Sequence, residues 1–387
     1  MAPCLAQNAK KVRQDLSQAR TYLKPRNKNY TQAEQLMTQL LKDSANQSDK
    51  RIFQVLFEAV KGQYAQANER LYLKQNQDTA AFFNLTRRMF TIAETLDTLD
   101  ALPDKKGHIT PVYRQRHAAT LNTYRPNLFN AGTFFVRKGN WKDAYTFMDC
   151  YIDCASQPLF TGYNIAAADK RLPEAAYWAT YSAYKQHDGN LTLKHHQLAL
   201  RDTTHTDFTL QFIAEAHRWL DNRGSYVSTL EQGFRHNPTF AYFFPRLADA
   251  YMADGQYEKA LLLADSALAV CDSCELFLFA KSTALLRLKR WEESIRYSRL
   301  TMARNDSLPE PYFNAGLAFS SLAEQLDPAD EKVLRKDYLQ KARTYLEYYR
   351  LLKPGEKDKW GPLLYRIYLH LNLGREFDEI DRLIRRN

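Results

Sequence analysis

Apolar residues along this 387-residue chain recur at spacings of three and four, the period of one buried face of an α-helix, rather than at the spacing of two that strands require. The stretch LADAYMADGQYEKALLLADSALAVCD shows the pattern in its clearest form. Small Ala248 and large Tyr251 fall on one predicted helix and Gly255 on a turn, while Tyr257, Ala260, Ala264 and Ala267 form one face of a second helix. Two other segments, RIFQVLFEAVKGQYAQANERLYL and TAAFFNLTRRMFTIAETLDTLD, predict longer helices, with breaks at Pro103 and Gly107. Glycine (13) and proline (14) are too sparse for a turn-rich β-fold, and the abundant Ala, Leu, Lys, Glu, Arg and Gln lose little freedom in a helix.

The helix pairs repeat. A step of about 34 residues carries Tyr257 to Trp291, Ala260 to Ser294, and Ala248 through Ser282 to Gly316, so that size class is kept. Large residues at the start of each first helix follow the same step through Phe244, Leu278 and Tyr312. Elsewhere Tyr30 stands three before Ala33, and Gly132 is followed by Trp141 three before Ala144. Ala342 with the terminating Pro354 closes a late unit that is about 14 residues too long, the excess lying in SLAEQLDPADEKVLRKD. This arrangement resembles the tetratricopeptide repeat, a helix–turn–helix unit with small residues where its helices cross. The resemblance is clearest over residues 240–387, partial over 25–45 and 125–155, and inferential elsewhere. It implies an all-α fold, an α-solenoid in which one pair cannot bury both faces and stacking completes the core as a superhelix.

The organisation expected is a TPR-like unit over 9–47, longer non-standard helices over 48–122, and a TPR-like array over 123–387 ending in a helix pair. Between Ala155 and Pro238 the units are degenerate. With no Pro/Gly/Ser-rich linker in view, one continuous solenoid is expected. The start, MAPCLAQNAKK, reads like the end of a secretory signal, with small Cys4 and Ala6 before Gln7, so residues 1–8 are expected to be its remnant and export from a bacterial cell is favoured. Triplets such as Asp43-Ser44-Ala45, Asp78-Thr79-Ala80 and Asp265-Ser266-Ala267 resemble an O-glycosylation signal of exported bacterial proteins and add weak support, although Ser266 is expected inside a packed helix. No run of about 18 apolar residues is present to cross a membrane as a helix.

The formal net charge of +10 raises nucleic acid as a partner. Basic residues are interspersed with acids, as in RWEESIRYSR, and even the basic ends (Lys10, Lys11 and Arg13; Arg382, Arg385 and Arg386) form no long block of one sign, which disfavours that reading. Cys150 and Cys154 are separated from Cys271 and Cys274 by more than a hundred residues of stacked helices, so a shared four-thiolate metal site is not expected. In an exported protein Cys271 and Cys274 could bridge where a helix ends, whereas Cys150 and Cys154, one turn apart, could do so only with strain. The histidines around His187, His195, His196 and His205 lack the HExxH spacing, and no phosphate loop, dinucleotide fingerprint or nucleophile elbow occurs. No metal or cofactor is therefore expected.

The family resemblance implies a non-catalytic scaffold for protein–protein interaction, with a peptide or protein held on the concave face formed by first helices. On the face of those helices away from Ala248, Ser282 and Gly316, the candidates are Arg246, Asp249, Phe279, Thr283, Phe313 and Asn314, an aromatic floor with polar groups. The lysine–asparagine clamp that some members use for a C-terminal carboxylate is not recognisable. The alternatives are a helical-repeat or α/α-toroid enzyme, which requires two carboxylates facing each other in an aromatic-lined cleft, and a nucleic-acid binder, which requires a continuous basic stripe.

Overall fold

The computed structural model describes residues 2–104, 106–327 and 331–385, with side chains described from Lys10 to Ile384. Met1 and Arg386 lie outside these, as do the side chain of Cys4 and residues 328–330 of the over-long unit. The fold is all-α, with no strand among the described residues. The chain divides into two compact units, residues 1–222 and 223–387, at a point inside the segment expected to form one array.

Unit 1 opens with α1 (Ala2–Tyr22), α2 (Tyr30–Leu40), α3 (Lys50–Tyr72) and α4 (Thr79–Asp100). After a loop come α5 (Arg114–Tyr124), α6 (Pro126–Arg137) and α7 (Trp141–Asp153). A 3₁₀ segment, Pro158–Tyr163, leads to α8 (Ile165–Ala168), α9 (Leu172–Lys185), α10 (Gly189–Lys194), α11 (His196–Ala199) and α12 (Thr206–Trp219). Unit 2 begins with α13 (Arg223–His236), α14 (Phe243–Ala253), α15 (Tyr257–Val270), α16 (Glu275–Arg287) and α17 (Trp291–Arg304). It continues through α18 (Glu310–Gln325), α19 (Lys332–Leu352), α20 (Lys357–His370) and α21 (Gly374–Arg385). Helix α1 therefore includes the segment expected to be a signal remnant. Part of the excess of the long unit is taken up as helix, since α18 runs for 16 residues and α19 for 21.

Within each unit consecutive helices pack on one another, and the first helices of unit 2, α14, α16, α18 and α20, also touch in series. Both kinds of contact depend on small residues. Ala33, Ala144, Ser282, Ser294 and Ala342 are fully buried, and Ala260 and Gly316 nearly so. A Cβ on Gly316 would stand 2.6 Å from Cγ of Leu346 on α19, and one on Gly62 of α3 would meet the Tyr30 ring. In both places the missing side chain is what allows the neighbour to approach. The aromatic residues fill the space between pairs. In unit 1 Tyr177 stacks on His205 at 4.0 Å and Tyr184 on Phe212 at 4.5 Å, while in unit 2 Phe244 meets Phe277 at 4.4 Å.

Each tight hairpin closes in the same way. Residue 255 is left-handed (φ 69°); Gly255 N–H donates to the carbonyl of Met252, and the next N–H, of Gln256, donates to that of Tyr251. The same pair of bonds, around a residue of positive φ, recurs at Lys74, Gly139, His187, Asp221, Lys289 and Asn372. It satisfies the last carbonyls of the first helix and reverses the chain. Only two of these seven positions hold glycine, the residue with no steric penalty there.

Two stability predictions follow from this packing. Lys289→Gly relieves a left-handed residue and stabilises unit 2 by about 0.5–1 kcal/mol, after the entropy that glycine loses on folding is set against the relief. Gly316→Val destabilises it by about 1–3 kcal/mol through overpacking against Leu346, whereas Gly355→Ala, with no atom near its Cβ position, stays within ~0.5 kcal/mol. Urea denaturation of the three variants beside the parent checks the order.

Candidate functional sites

The serial contact of α14 and α16 leaves a small cleft of about 100 Å³. Its floor is apolar, from Phe244, Pro245, Met252, Leu276 and Phe279, and its polar members are Asp249 and Thr283. Three of the six residues expected to face a partner, Asp249, Phe279 and Thr283, therefore meet here. Asp249 is exposed and pairs with no cation among the described residues. Thr283 donates to the carbonyl of Phe279, 3.0 Å away.

The other three residues are committed elsewhere. The guanidinium of Arg246 lies 3.9 Å above the Tyr242 ring and donates to the Tyr242 carbonyl. Phe313 is half-buried against Tyr349 of α19 at 5.1 Å. Asn314 is buried, and its amide donates to the hydroxyls of Ser282 (3.2 Å) and Thr283 (3.0 Å). This corrects the expectation for Asn314. Its side chain ties α18 to α16, because a buried amide must find partners and the neighbouring helix supplies them.

Cys271 and Cys274, like Cys150 and Cys154, are free thiols, and burial pushes the Cys154 thiol up to about 12. Asp43 accepts a hydrogen bond from the Ala45 N–H, and Asp78 accepts from those of Ala80 and Ala81. Two of the Asp-Ser/Thr triplets are thus N-caps of helical segments. Ser266 is on the exposed face of α15, where its hydroxyl donates to the Leu262 carbonyl, instead of being packed inside the helix pair.

A group of titratable side chains that the sequence alone did not single out lies in unit 1. A polar pocket of about 190 Å³ is lined by Arg87, Thr91 and Glu94 of α4 and by Thr146, Asp149, Cys150 and Asp153 of α7, with Gln157. Asp149 Oδ1 accepts from Lys194 Nζ at 2.5 Å and lies 2.6 Å from His195 Nε2. Burial alone would raise the Asp149 carboxyl, but these two contacts outweigh it and hold the group below the ordinary value. Glu94 has no such relief. Burial first, and the Asp153 charge second, push it up to about 7. A larger cavity of about 580 Å³, between α5 and the 158–163 segment, has no acid or histidine on its walls.

One regularity settles what kind of array this is. The left-handed turn residues His187, Asp221, Gly255 and Lys289 are spaced by 34, and α9 and α12, Leu172–Lys185 and Thr206–Trp219, stand at the same interval. The degenerate segment thus keeps the period of the clear one. The array repeats a helix–turn–helix unit every 34 residues, the length of the tetratricopeptide repeat that its sequence resembles. The phase is hidden in the sequence because three of the four turns hold His, Asp or Lys where glycine marks the clear unit.

No family model matches this chain, and no curated protein matches it. Solved structures similar to it include the C-terminal part of a TPR repeat-containing protein from Cytophaga hutchinsonii, with 9% identity and a TM-score of 0.44 over 65% of this chain and 92% of that one. The TPR2AB domain of yeast Sti1 in complex with pHSP90 has 10% identity and a TM-score of 0.24 over 64% of this chain and 99% of that one. The human IFIT1 dimer with PPP-AAAA has 14% identity and a TM-score of 0.35 over 78% and 71%, respectively.

The raised Glu94 predicts a pH effect. Its ordinary value near 4.5 moves to about 7 in the folded chain, so the fold binds the extra proton between those values and loses stability as pH rises through them. Glu94→Gln removes that loss. Its advantage over the parent grows from pH 5 to pH 8 by on the order of 2 kcal/mol, read as the urea midpoint at each pH.

Proposed function

We propose that this protein is a non-catalytic interaction scaffold that holds an extended or helical segment of a protein partner in the α14–α16 cleft. The observation that supports this most directly is the cleft's own chemistry. An apolar floor of Phe244, Leu276 and Phe279 stands beside the exposed carboxylate of Asp249 on serially stacked first helices. Such a surface suits one aliphatic or aromatic side chain, with a Lys or Arg next to it to meet Asp249. At about 100 Å³ the cleft accommodates a single anchoring side chain, so neighbouring first helices must contribute the rest of the contact.

The enzyme alternative asks for carboxylates across an aromatic-lined cleft. The acids gathered in unit 1, Glu94, Asp149 and Asp153, share a pocket whose other walls are Arg87, Thr91, Thr146, Cys150 and Gln157, none of them aromatic. That composition favours the scaffold reading.

Selection from a random peptide library against the whole chain tests the proposal. Selected peptides are expected to carry a large apolar residue beside a basic one, and Phe279→Ala and Asp249→Lys should each weaken their binding by about tenfold, or ~1.4 kcal/mol. Peptides without this pattern, or equal binding by correctly folded variants, would refute it.

A further inference from the structure

Helix α7 ends with two carboxylates one turn apart, Asp149 and Asp153, and has no basic residue in its last turn. This is the negative end of the helix dipole, where acids are disfavoured and a cation is favoured. The spacing of four sets both carboxylates on one face. Across from them, the short α10 ends at Lys194, and His195 follows as its C-cap. The His195 side chain is nine-tenths buried and directs Nε2 at Asp149 Oδ1, whereas the Lys194 side chain is 42% exposed. Ligand atoms of Asp149, Asp153 and His195 all lie within 4.8 Å of one another.

We propose that Asp149, Asp153 and His195 bind one divalent first-row metal ion of the zinc type, with Lys194 as the resident charge that swings to solvent when the ion enters. One imidazole with two carboxylates is a ligand set for zinc, manganese or cobalt; an all-oxygen set would point to calcium or magnesium. Around a tetrahedral ion at ordinary bond lengths, ligand atoms stand about 3.3 Å apart. The site therefore needs the 2.6 Å Asp149–His195 contact to open slightly and the wider separations to close, movements of the order of 1 Å that side-chain rotation supplies. The buried histidine is the fixed ligand, and the half-exposed lysine is the group free to leave. The polar pocket adjoining Asp149 and Asp153 gives water or a small anion room to complete the coordination. Lys194 reaches both carboxylates, at 2.5 Å and 3.4 Å, so one ammonium now occupies the position between them that a dication would take.

The test is calorimetric titration of Zn²⁺ into the chelator-treated full chain, with Co²⁺ absorption as a reporter of ligand geometry. One ion per chain is expected. Asp149→Asn, Asp153→Asn and His195→Gln should each weaken it by about tenfold or more, with folding checked by circular dichroism. Lys194→Gln should tighten it several-fold, because the competing charge is gone, and His370→Gln on α20 should leave it unchanged. The half-exposed Asp153 keeps the test open if Asp149→Asn fails to fold. Absence of saturable zinc binding, binding indifferent to these three ligands, or weaker binding in Lys194→Gln would each show the cluster to be an interhelix ion pair and overturn the proposal.

Discussion

Everything in this chain hangs on a reversal made in two residues. At each tight hairpin the last carbonyls of one helix are satisfied by two N–H groups around a left-handed residue, and at six of the seven the next helix starts two residues later. Because the connection is so short, the helices it joins must lie side by side and nearly antiparallel, and their crossing must be lined by residues with little or no side chain. Gly132, Ser282 and Gly316 supply that lining, and the aromatic residues supply what fills the gap to the following pair. The turn fixes the pairing, the pairing demands the small residues, and the stacked pairs present the first-helix face.

The sequence showed the parts of this logic that are carried by residue size and lost those carried by backbone geometry. Ala248, Ser282 and Gly316 are visible as a size series at a constant step, and the all-α solenoid follows from it. The turns at His187 and Asp221 are not, because a non-glycine residue can be forced left-handed by the hydrogen bonds around it, and nothing in its side chain announces this. The regular step through the degenerate segment is therefore a property of the fold before it is a property of the sequence.

The candidate sites divide along the same line. Helical spacing alone could put Asp249, Phe279 and Thr283 on neighbouring first helices, but it could not tell that Asn314, on the next first helix, faces inward to Ser282 and Thr283. A rotation of a few tens of degrees about the α18 axis decides whether an amide is a ligand for a partner or a tie between helices. The acidic pocket was less legible still. Asp149 and Asp153 are four apart on one helix, yet the histidine and lysine that complete the group come from the end of a different helix and its cap more than forty residues on, and only the tertiary fold brings them together.

The proposed working surface is the row of stacked first helices in unit 2. Hydrogen exchange with a library-selected peptide bound measures this most directly, since amide protection reports which helices a ligand steadies. The account predicts new protection concentrated in α14 and α16, extending to α18 and fading in the second helices α15 and α17. Protection centred on unit 1 or on the second helices would contradict it.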